Sequence, residues 1–187
     1  DPHLSALLID VGGSTTDLAV MSHGTLRGTK MFAIGGRTFT KRLAVELNIA
    51  FREAEKLKIA YTSDKLEPKS KKIIADIILA DVETWLEGVV LALSEFSELD
   101  ELPSKILLSG GGSYLPEIKE ALNNRKWYKK LHFSQIPQAV FMRLTDLPNL
   151  RLVSPPSVET SNIILSLVTL EGSILAEKSA ILSIATP

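Results

Sequence analysis

The sequence predicts an α/β fold: a mixed five-stranded sheet, in which an antiparallel meander is followed by parallel strands, with helices on both faces. Two observations lead to this prediction. The first 34 residues contain short apolar or alternating segments separated by turn signals, which is typical of antiparallel strands. The rest of the chain alternates helical with strand-like patterns, and such alternation favours parallel strands joined by helices.

The meander is predicted from its turn residues as much as from its apolar runs. His23-Gly24 lies where the second strand would reverse into the third, and Gly35-Gly36 ends the third strand. A helical periodicity begins after Gly35-Gly36. The three predicted strands cover residues 4–11, 18–21 and 26–34.

Three helices are expected after the meander. Phe39, Leu43 and Leu47 recur every four residues, so they share one face of a helix over residues 37–47. Residues 51–61 form a second short helix. Apolar residues at spacings of three and four then predict one long amphipathic helix over residues 71–96, whose expected role is core packing.

The second half of the chain carries weaker patterns. Residues 104–112 are an apolar run that ends in glycines, as in a buried parallel strand. The segment that follows predicts a helix over 114–122, with Pro116 early in its first turn. The remaining expectations are a strand at 129–136, a loop at 137–156, a helix at 158–170, and either a strand or a tail at 172–187.

Composition excludes several classes of function. With 21 basic and 22 acidic residues the net charge is −1, which does not indicate a nucleic-acid binder. No cysteine is present, which excludes disulfides, thiolate metal sites and cysteine nucleophiles and fits a reducing cytoplasm. No apolar run approaches the ~20 residues that span a bilayer. The chain enters a strand at once without a basic leader, so we expect a segment of a longer protein rather than a signal peptide.

The first candidate site is the interruption within residues 9–20, IDVGGSTTDLAV. Asp10 and Asp17 bracket a run of five small or hydroxylated residues: Gly12, Gly13, Ser14, Thr15 and Thr16. A tight hairpin needs only two turn residues, so this run offers more backbone N–H groups and oxygens than chain reversal requires. The surplus indicates a ligand. The alternative is a structural hairpin turn in which aspartate acts as a turn former.

A second glycine turn, residues 110–113, also follows an apolar strand. Ligands of α/β sheets gather at strand ends, so we expect the two turns to share one ligand. Glycine turns let backbone N–H groups approach phosphate oxygens, and Thr15 and Thr16 could add hydroxyl donors. Asp10 would repel a phosphate, so its expected role is to hold Mg²⁺ through water or to orient an attacking water. Asp17 is expected to fix the loop.

These motifs resemble those of a known superfamily. The stretch DVGGSTTDLAV resembles the second phosphate motif of the actin-like ATPases, and ILLSGGGSYLPEI resembles their adenosine motif. Between them, IGGRTFTKRLAVELNIAFREAEKLK is similar to the cell-division protein FtsA and its pilus-assembly relative PilM. The similarity covers residues 7–122, and it implies that the mixed sheet is of the ribonuclease-H-like type.

The resemblance implies a site for ATP and Mg²⁺, with Asp10 near the metal as the catalytic residue. It assigns Glu55 and Lys58, which lie one helical turn apart, to the ribose and base. The alternative for this pair is a solvated ion pair of little energetic weight. Ser14 departs from the glycine that the superfamily most often has. The other implied contacts are Gly12, Gly13, Ser14, Thr15 and Thr16 at the phosphates, and Gly111, Gly112 and Ser113 at the adenosine.

The resemblance extends to one lobe. Actin-like ATPases hold nucleotide between two lobes, and this sequence starts at the motif of the second. Residues 1–187 are therefore expected to be a C-terminal lobe, without the N-terminal lobe and with a short polar insertion around 61–72. Such a chain should not turn over ATP alone, and should be at most a weak ATPase when joined to the missing lobe.

The function implied by the resemblance is nucleotide-regulated assembly at the bacterial division site or in the pilus machinery. The implied partners are a tubulin-like division filament or pilus-assembly proteins, together with self-association. The implied location is cytoplasmic, or peripheral at the inner face of the cell membrane through other regions or partners. Two alternatives stay open: a lobe of a superfamily small-molecule kinase, and a scaffold that has lost nucleotide binding.

Overall fold

The computed structural model describes residues 4–142, together with the backbone of residues 151–152 and 181–182. The strands are β1 (Ala6–Val11), β2 (Thr16–Ser22), β3 (Thr25–Phe32), β4 (Lys105–Ser109), β5 (Gln138–Phe141), β6 (Arg151–Leu152) and β7 (Ile181–Leu182). The α-helices are α1 (Gly36–Glu46), α2 (Phe51–Thr62), α3 (Pro68–Ser94) and α4 (Pro116–Asn124). Two short 3₁₀ helices cover Gly111–Tyr114 and Trp127–Lys130.

One sheet contains the first five strands in the order β3-β2-β1-β4-β5. β2 pairs antiparallel with both β1 and β3, whereas β4 pairs parallel with both β1 and β5. The predicted mixed five-stranded sheet, an antiparallel meander followed by parallel strands, is therefore confirmed. β6 and β7 pair with each other in a separate two-stranded sheet.

Alternation along the strands sends side chains to two faces of the sheet. On one face, Ile9 and Leu108 belong to a core that continues into residues of α1 to α4. On the other face, Leu8 and Leu107 belong to a smaller cluster that includes no residue of these helices. The helix expected at 158–170 lies outside the described residues, so helices on this second face stay a prediction.

The long helix α3 packs against α1 and α4 on the main face of the sheet. Its buried side chains recur at spacings of three and four, and Trp85 among them is completely buried. Pro68 begins the helix, because the first helical position needs no N–H partner. Residues 63–67 alone join α2 to α3, so the polar insertion expected around 61–72 is mostly helix.

The fifth strand does not lie where the sequence predicted it. Residues 129–136, expected as a strand, begin in a 3₁₀ helix and then form only an isolated bridge between Leu102 and Phe133. The strand is instead Gln138–Phe141, inside the stretch expected as a loop. Pro137 lies just before it, where a missing N–H breaks no ladder bond. A strand of four residues carries too little periodicity to be recognised in the sequence.

Asn123 of α4 covers the outer side of β5, which is an edge strand among the described strands. Because Gln138 N–H donates to Ser104 O at 2.8 Å, the backbone of Ala139 points away from β4. The Asn123 amide accepts a hydrogen bond from Ala139 N–H at 2.7 Å and donates one to Ala139 O at 3.2 Å. The side chain thus takes the place of a neighbouring strand and blunts the edge.

We predict that Asn123→Ala lowers the free energy of unfolding by about 1–3 kcal/mol, because partly buried backbone groups of Ala139 lose their partners. Chemical denaturation measures this loss. The matched control is Asn124→Ala, an exposed neighbour in the same helix, which should change stability by less than about 0.5 kcal/mol. Equal losses in the two variants would contradict the edge-capping role.

Candidate functional site

Strand register brings the two glycine turns to the same end of the sheet, where β1 and β4 finish. Asp10 of β1 pairs with Asp17 of β2 and with Ser109 of β4. The first turn, residues 12–15, therefore leaves β1 beside the second turn, residues 110–113, which leaves β4. The structure thus brings together the two turns that the sequence predicted to lie side by side.

The start of α1 joins both turns at Gly36. The N–H of Gly36 donates to Gly12 O at 2.8 Å. A Cβ built on Gly36 would lie 3.5 Å from Gly12 O and 3.7 Å from Gly112 Cα. The same Cβ would lie 3.4 Å from Lys58 Nζ. All three motifs of the sequence therefore meet at this residue.

Three glycines around this point have no room for a side chain. A Cβ on Gly35 would lie 2.7 Å from Gly12 O. One on Gly112 would lie 2.6 Å from Val11 Cγ1. Gly110 has φ +83° and ψ 154°, a conformation that only glycine adopts readily, and its Cβ would lie 2.5 Å from Val11 O. Glycine at these positions lets the backbone segments pack directly on one another.

Gly13 and Gly111 differ from these packed glycines. A Cβ on either residue would meet no atom within 4 Å, and both residues are exposed. Each turn therefore has one open glycine beside packed ones. Space of this kind allows a large anionic group to approach the backbone closely.

Hydrogen bonding to α1 also sets the direction of the turn's N–H groups. The carbonyls of Gly12 and Gly13 both accept from the start of α1, the second from Arg37 N–H at 2.7 Å. In a trans peptide the C=O and the following N–H point in opposite directions, and the described residues contain no cis peptide bond. The N–H groups of Gly13 and Ser14 therefore point away from α1, as neighbouring donors on the exposed side of the turn.

Asp10 and Asp17 mark the two ends of the first turn. Because they are direct partners in the antiparallel pair, their side chains lie on the same face of the sheet. Thr15 Oγ1 donates to Asp17 Oδ2 at 3.2 Å, so Asp17 fixes the turn, as the sequence predicted. Asp10 is buried, and its Oδ1 faces the backbone of Gly110 in the second turn.

The hydroxyl of Thr16 lies in the core rather than on the open side of the turn. It donates to Ile34 O at 2.7 Å and accepts a hydrogen bond from Trp85 Nε1 at 2.8 Å. Its one proton is therefore used within the protein. This corrects the expectation that Thr16 adds a hydroxyl donor for a phosphate.

Lys58 links α2 to the start of α1. Its Nζ donates to Gly36 O at 2.9 Å and to Thr40 Oγ1 at 2.8 Å. The third proton goes to Glu55 Oε2 at 2.9 Å, and Thr40 Oγ1 bonds the same carboxylate oxygen. The lysine side chain is only 10% exposed, so the alternative of a solvated ion pair does not fit.

The pKa of Glu55 lies below its ordinary value. Partial burial raises this pKa, but the hydrogen bonds from Thr40 and Lys58 and the positive charges of Lys58 and Arg37 lower it by more. Glu55 is therefore a carboxylate at neutral pH. The Glu55 side chain is 36% exposed.

The second turn is held by its own serine. Ser113 is buried, and its Oγ donates to Gly110 O at 2.7 Å. The turn continues through a 3₁₀ helix into α4. It also packs against β1 through Gly112, so it contributes to the junction at Gly36 as well.

Sequence reasoning missed four residues that build the site. Gly35 and Gly36 were expected to end a strand and start a helix, but not to contact the turns, although a double glycine is also a signal of close backbone approach. Trp85 was expected only in the core, although a buried indole N–H needs a partner. Thr40 carried no signal, since its importance comes from Lys58, which is distant in sequence.

Comparison with known proteins identifies the family. The family model for cell division protein FtsA matches residues 7–162. The chain belongs to the FtsA family. It is therefore a member of the actin-like ATPase superfamily, as its motifs predicted.

Individual FtsA proteins match the chain over a similar region. FtsA of Bacillus subtilis (strain 168) is 29% identical over 137 residues, which are 63% of this chain and 31% of the relative. FtsA of Neisseria meningitidis serogroup B is 32% identical over 138 residues, which are 63% of this chain and 33% of the relative. The chain thus spans about a third of the length of these relatives.

Solved structures agree on the fold. A PilM-PilN type IV pilus biogenesis complex matches with a TM-score of 0.58 at 18% identity, over 93% of this chain and 46% of the other. Ethanolamine utilization protein EutJ from Carboxydothermus hydrogenoformans matches with a TM-score of 0.54 at 23% identity, over 72% of this chain and 44% of the other. At these identities the likeness shows the α/β fold alone.

Two further observations hold for the part of the chain that the structure describes. None of its helices combines the length and the apolar character that a bilayer span requires. Its histidine and acidic side chains form no group of three or more that could hold a metal ion by itself.

We predict that Gly110→Ala lowers the free energy of unfolding by about 2–4 kcal/mol, because alanine is strained at this backbone conformation and its Cβ meets Val11. Thermal and chemical denaturation measure this loss. Gly111→Ala, one residue along the same turn, is the control and should change stability by less than about 1 kcal/mol. A tolerated alanine at position 110 would overturn the proposed packing of the turn.

Glu55 should make folding stability depend on pH. Its folded pKa is below the unfolded value of about 4.3, so its stabilising contribution is present above that pH and is lost as pH falls through the folded pKa. We therefore expect Glu55→Gln to reduce the slope of unfolding free energy between about pH 5 and pH 3. Denaturation at several pH values tests this, with exposed Glu87→Gln for comparison. An unchanged slope in Glu55→Gln would contradict the assignment.

Proposed function

We propose that this chain forms one wall of a site for ATP and Mg²⁺ in a protein of nucleotide-regulated assembly. The observation that carries the proposal is the pair of N–H groups, on the exposed residues Gly13 and Ser14, that point away from α1. The open Gly111 lies in the neighbouring turn. A purely structural junction would need its packed glycines, but not an open glycine in each turn.

In this proposal the first turn binds the phosphates through its backbone. Gly12, Gly13, Ser14 and Thr15 line the phosphate side, and Thr15 also keeps Asp17 in place. The start of α1 acts indirectly, because its first N–H groups are used to hold the carbonyls of the turn. Ser14 is exposed beside Gly13.

Asp10 is the residue proposed to hold Mg²⁺ through water. Mg²⁺ at phosphate sites is usually bound by one or two carboxylates together with waters and phosphate oxygens, so a single buried carboxylate beside both turns fits it. When bound, Mg²⁺ would neutralise phosphate charge. The same position also suits Asp10 to orient an attacking water.

The nucleoside is assigned to α2 and the second turn. Because all three protons of Lys58 have protein acceptors, Lys58 is proposed to hold α1 and Glu55 rather than to lie free beside the base. Glu55 is ionised and partly exposed, which suits it to accept a hydrogen bond from a ribose hydroxyl. Gly111 offers accessible backbone on the adenosine side, next to Gly112 and Ser113.

The other wall of the site is proposed to come from a second lobe, with residues 1–187 as the C-terminal lobe. The chain spans about a third of the FtsA relatives, which leaves room for such a lobe in proteins of their length. Phosphoryl transfer requires charge stabilisation from several directions, and in this proposal the chain surrounds the phosphates from one side only. The chain alone should therefore fold but not turn over ATP.

Membership of the FtsA family supports a role in bacterial cell division. The proposed partner is a tubulin-like division filament, with self-association of the actin-like fold as a second contact. The proposed location is the cytoplasm or the inner face of the cell membrane, reached through other regions or partners. Pilus-assembly proteins are the weaker candidate, because likeness to the PilM-PilN complex is at 18% identity.

Gly13→Val in the full-length protein tests the phosphate assignment. Valine should abolish ATP binding, measured by calorimetry, because it fills the space in front of the N–H donors. Its Cβ meets no atom within 4 Å, so thermal unfolding should be nearly unchanged. Thr29→Val, on the exposed side of edge strand β3, is the control and should bind ATP normally.

Two results would contradict the proposal in different ways. Equal ATP affinity in Gly13→Val and the unaltered protein would show that the first turn is not the phosphate site. Absence of ATP binding by the unaltered full-length protein would favour the scaffold interpretation. ADP release only in the presence of a small acceptor would favour the kinase interpretation instead.

A further inference from the structure

A buried hydrogen-bond chain connects α3 to the first glycine turn. Trp85, at 0% exposure, donates from Nε1 to Thr16 Oγ1, which in turn donates to Ile34 O. Thr16 is the first residue of β2 and follows the turn directly. Ile34 directly precedes Gly35-Gly36. The indole thus bonds the start of β2, and through the Thr16 hydroxyl it is linked to the segment that leads into α1.

The same two segments are joined again at the turn itself. Gly36 and Arg37 donate to Gly12 and Gly13, at 2.8 Å and 2.7 Å. These two bonds set the direction of the Gly13 and Ser14 N–H groups. A shift of residues 34–36 relative to β2 would therefore change where those N–H groups point.

We infer that Trp85 is a positioning residue of the phosphate turn, acting through Thr16 and Ile34. The inference rests on the proposed function, because it assigns Trp85 to the site at Gly13 and Ser14. The indole N–H fixes the Thr16 hydroxyl so that its single proton is directed at Ile34 O. Without the N–H, the hydroxyl can rotate and the link from β2 to the start of α1 weakens.

The chain contains a matched control in its other tryptophan. Trp127 is also buried, and its Nε1 donates to Leu122 O at 2.9 Å, away from the turns. Trp→Phe at either position keeps an aromatic ring and removes one buried indole hydrogen bond. The two variants should therefore lose similar stability, and only Trp85→Phe should affect the turn.

The test uses the full-length protein and two readouts. ATP affinity by calorimetry should fall about tenfold in Trp85→Phe and stay unchanged in Trp127→Phe, as expected for the loss of one buried hydrogen bond that orients the site. Thr16→Ser, which keeps the hydroxyl, should retain affinity, whereas Thr16→Val should lose it. Combining Trp85→Phe with Thr16→Val should add little further loss, because both act through one link.

The second readout needs no nucleotide. Amide hydrogen exchange of Gly36 and Arg37, followed by NMR, should be faster in Trp85→Phe than in Trp127→Phe, because these N–H groups bond the turn. Faster exchange in a protein that binds no ATP would leave the positioning role intact and refute the proposed function. Equal exchange at these amides in the two variants would overturn the inference, whether or not ATP binds.

Discussion

The absence of a side chain at Gly35, where α1 begins beside Gly36, is the constraint on which the site depends. Here the start of α1 lies against Gly12 of the first turn, Gly112 of the second and the ammonium of Lys58. A Cβ on Gly36 would meet these groups at ordinary van der Waals distances, whereas one on Gly35 would lie within 3 Å of backbone atoms of residues 12, 13 and 15 and has no room. Because the start of α1 packs directly on the backbone of the first turn, contacts within the chain hold these segments against one another.

The helix that begins at this point is held along its length as well. At its start, Lys58 donates one hydrogen bond to the carbonyl of Gly36 and another to the hydroxyl of Thr40. Further along the same helix, Arg42 donates two hydrogen bonds to Asp81 of α3, at 2.9 and 3.1 Å. Asp81 is nearly buried, whereas the Arg42 side chain is 41% exposed. α1 is thus fixed to both α2 and α3, and the direction of its first N–H groups is fixed with it.

The sequence predicted the parts of this arrangement that depend on local patterns. The meander, α1 and both glycine turns follow from periodicity and turn residues close together in the chain. The fifth strand was misplaced because Gln138–Phe141 is short and is defined by pairing with β4 and by Asn123. The role of Thr16 was wrong for a similar reason, since only the tertiary structure places Trp85, 69 residues away, against its hydroxyl.

The two faces of the sheet carry different groups of the first turn. Asp10 and Asp17 belong to the same face as the smaller cluster of Leu8, whereas Thr16 faces the main core. Strand alternation therefore separates the acidic groups from the hydrogen bonds that position the turn. A carboxylate on the main face would lie among buried apolar residues, where an unpaired charge is costly. The buried carboxylate of Asp10 thus lies on one face of the sheet, while the hydrogen bonds of Thr16 on the opposite face hold the end of the turn.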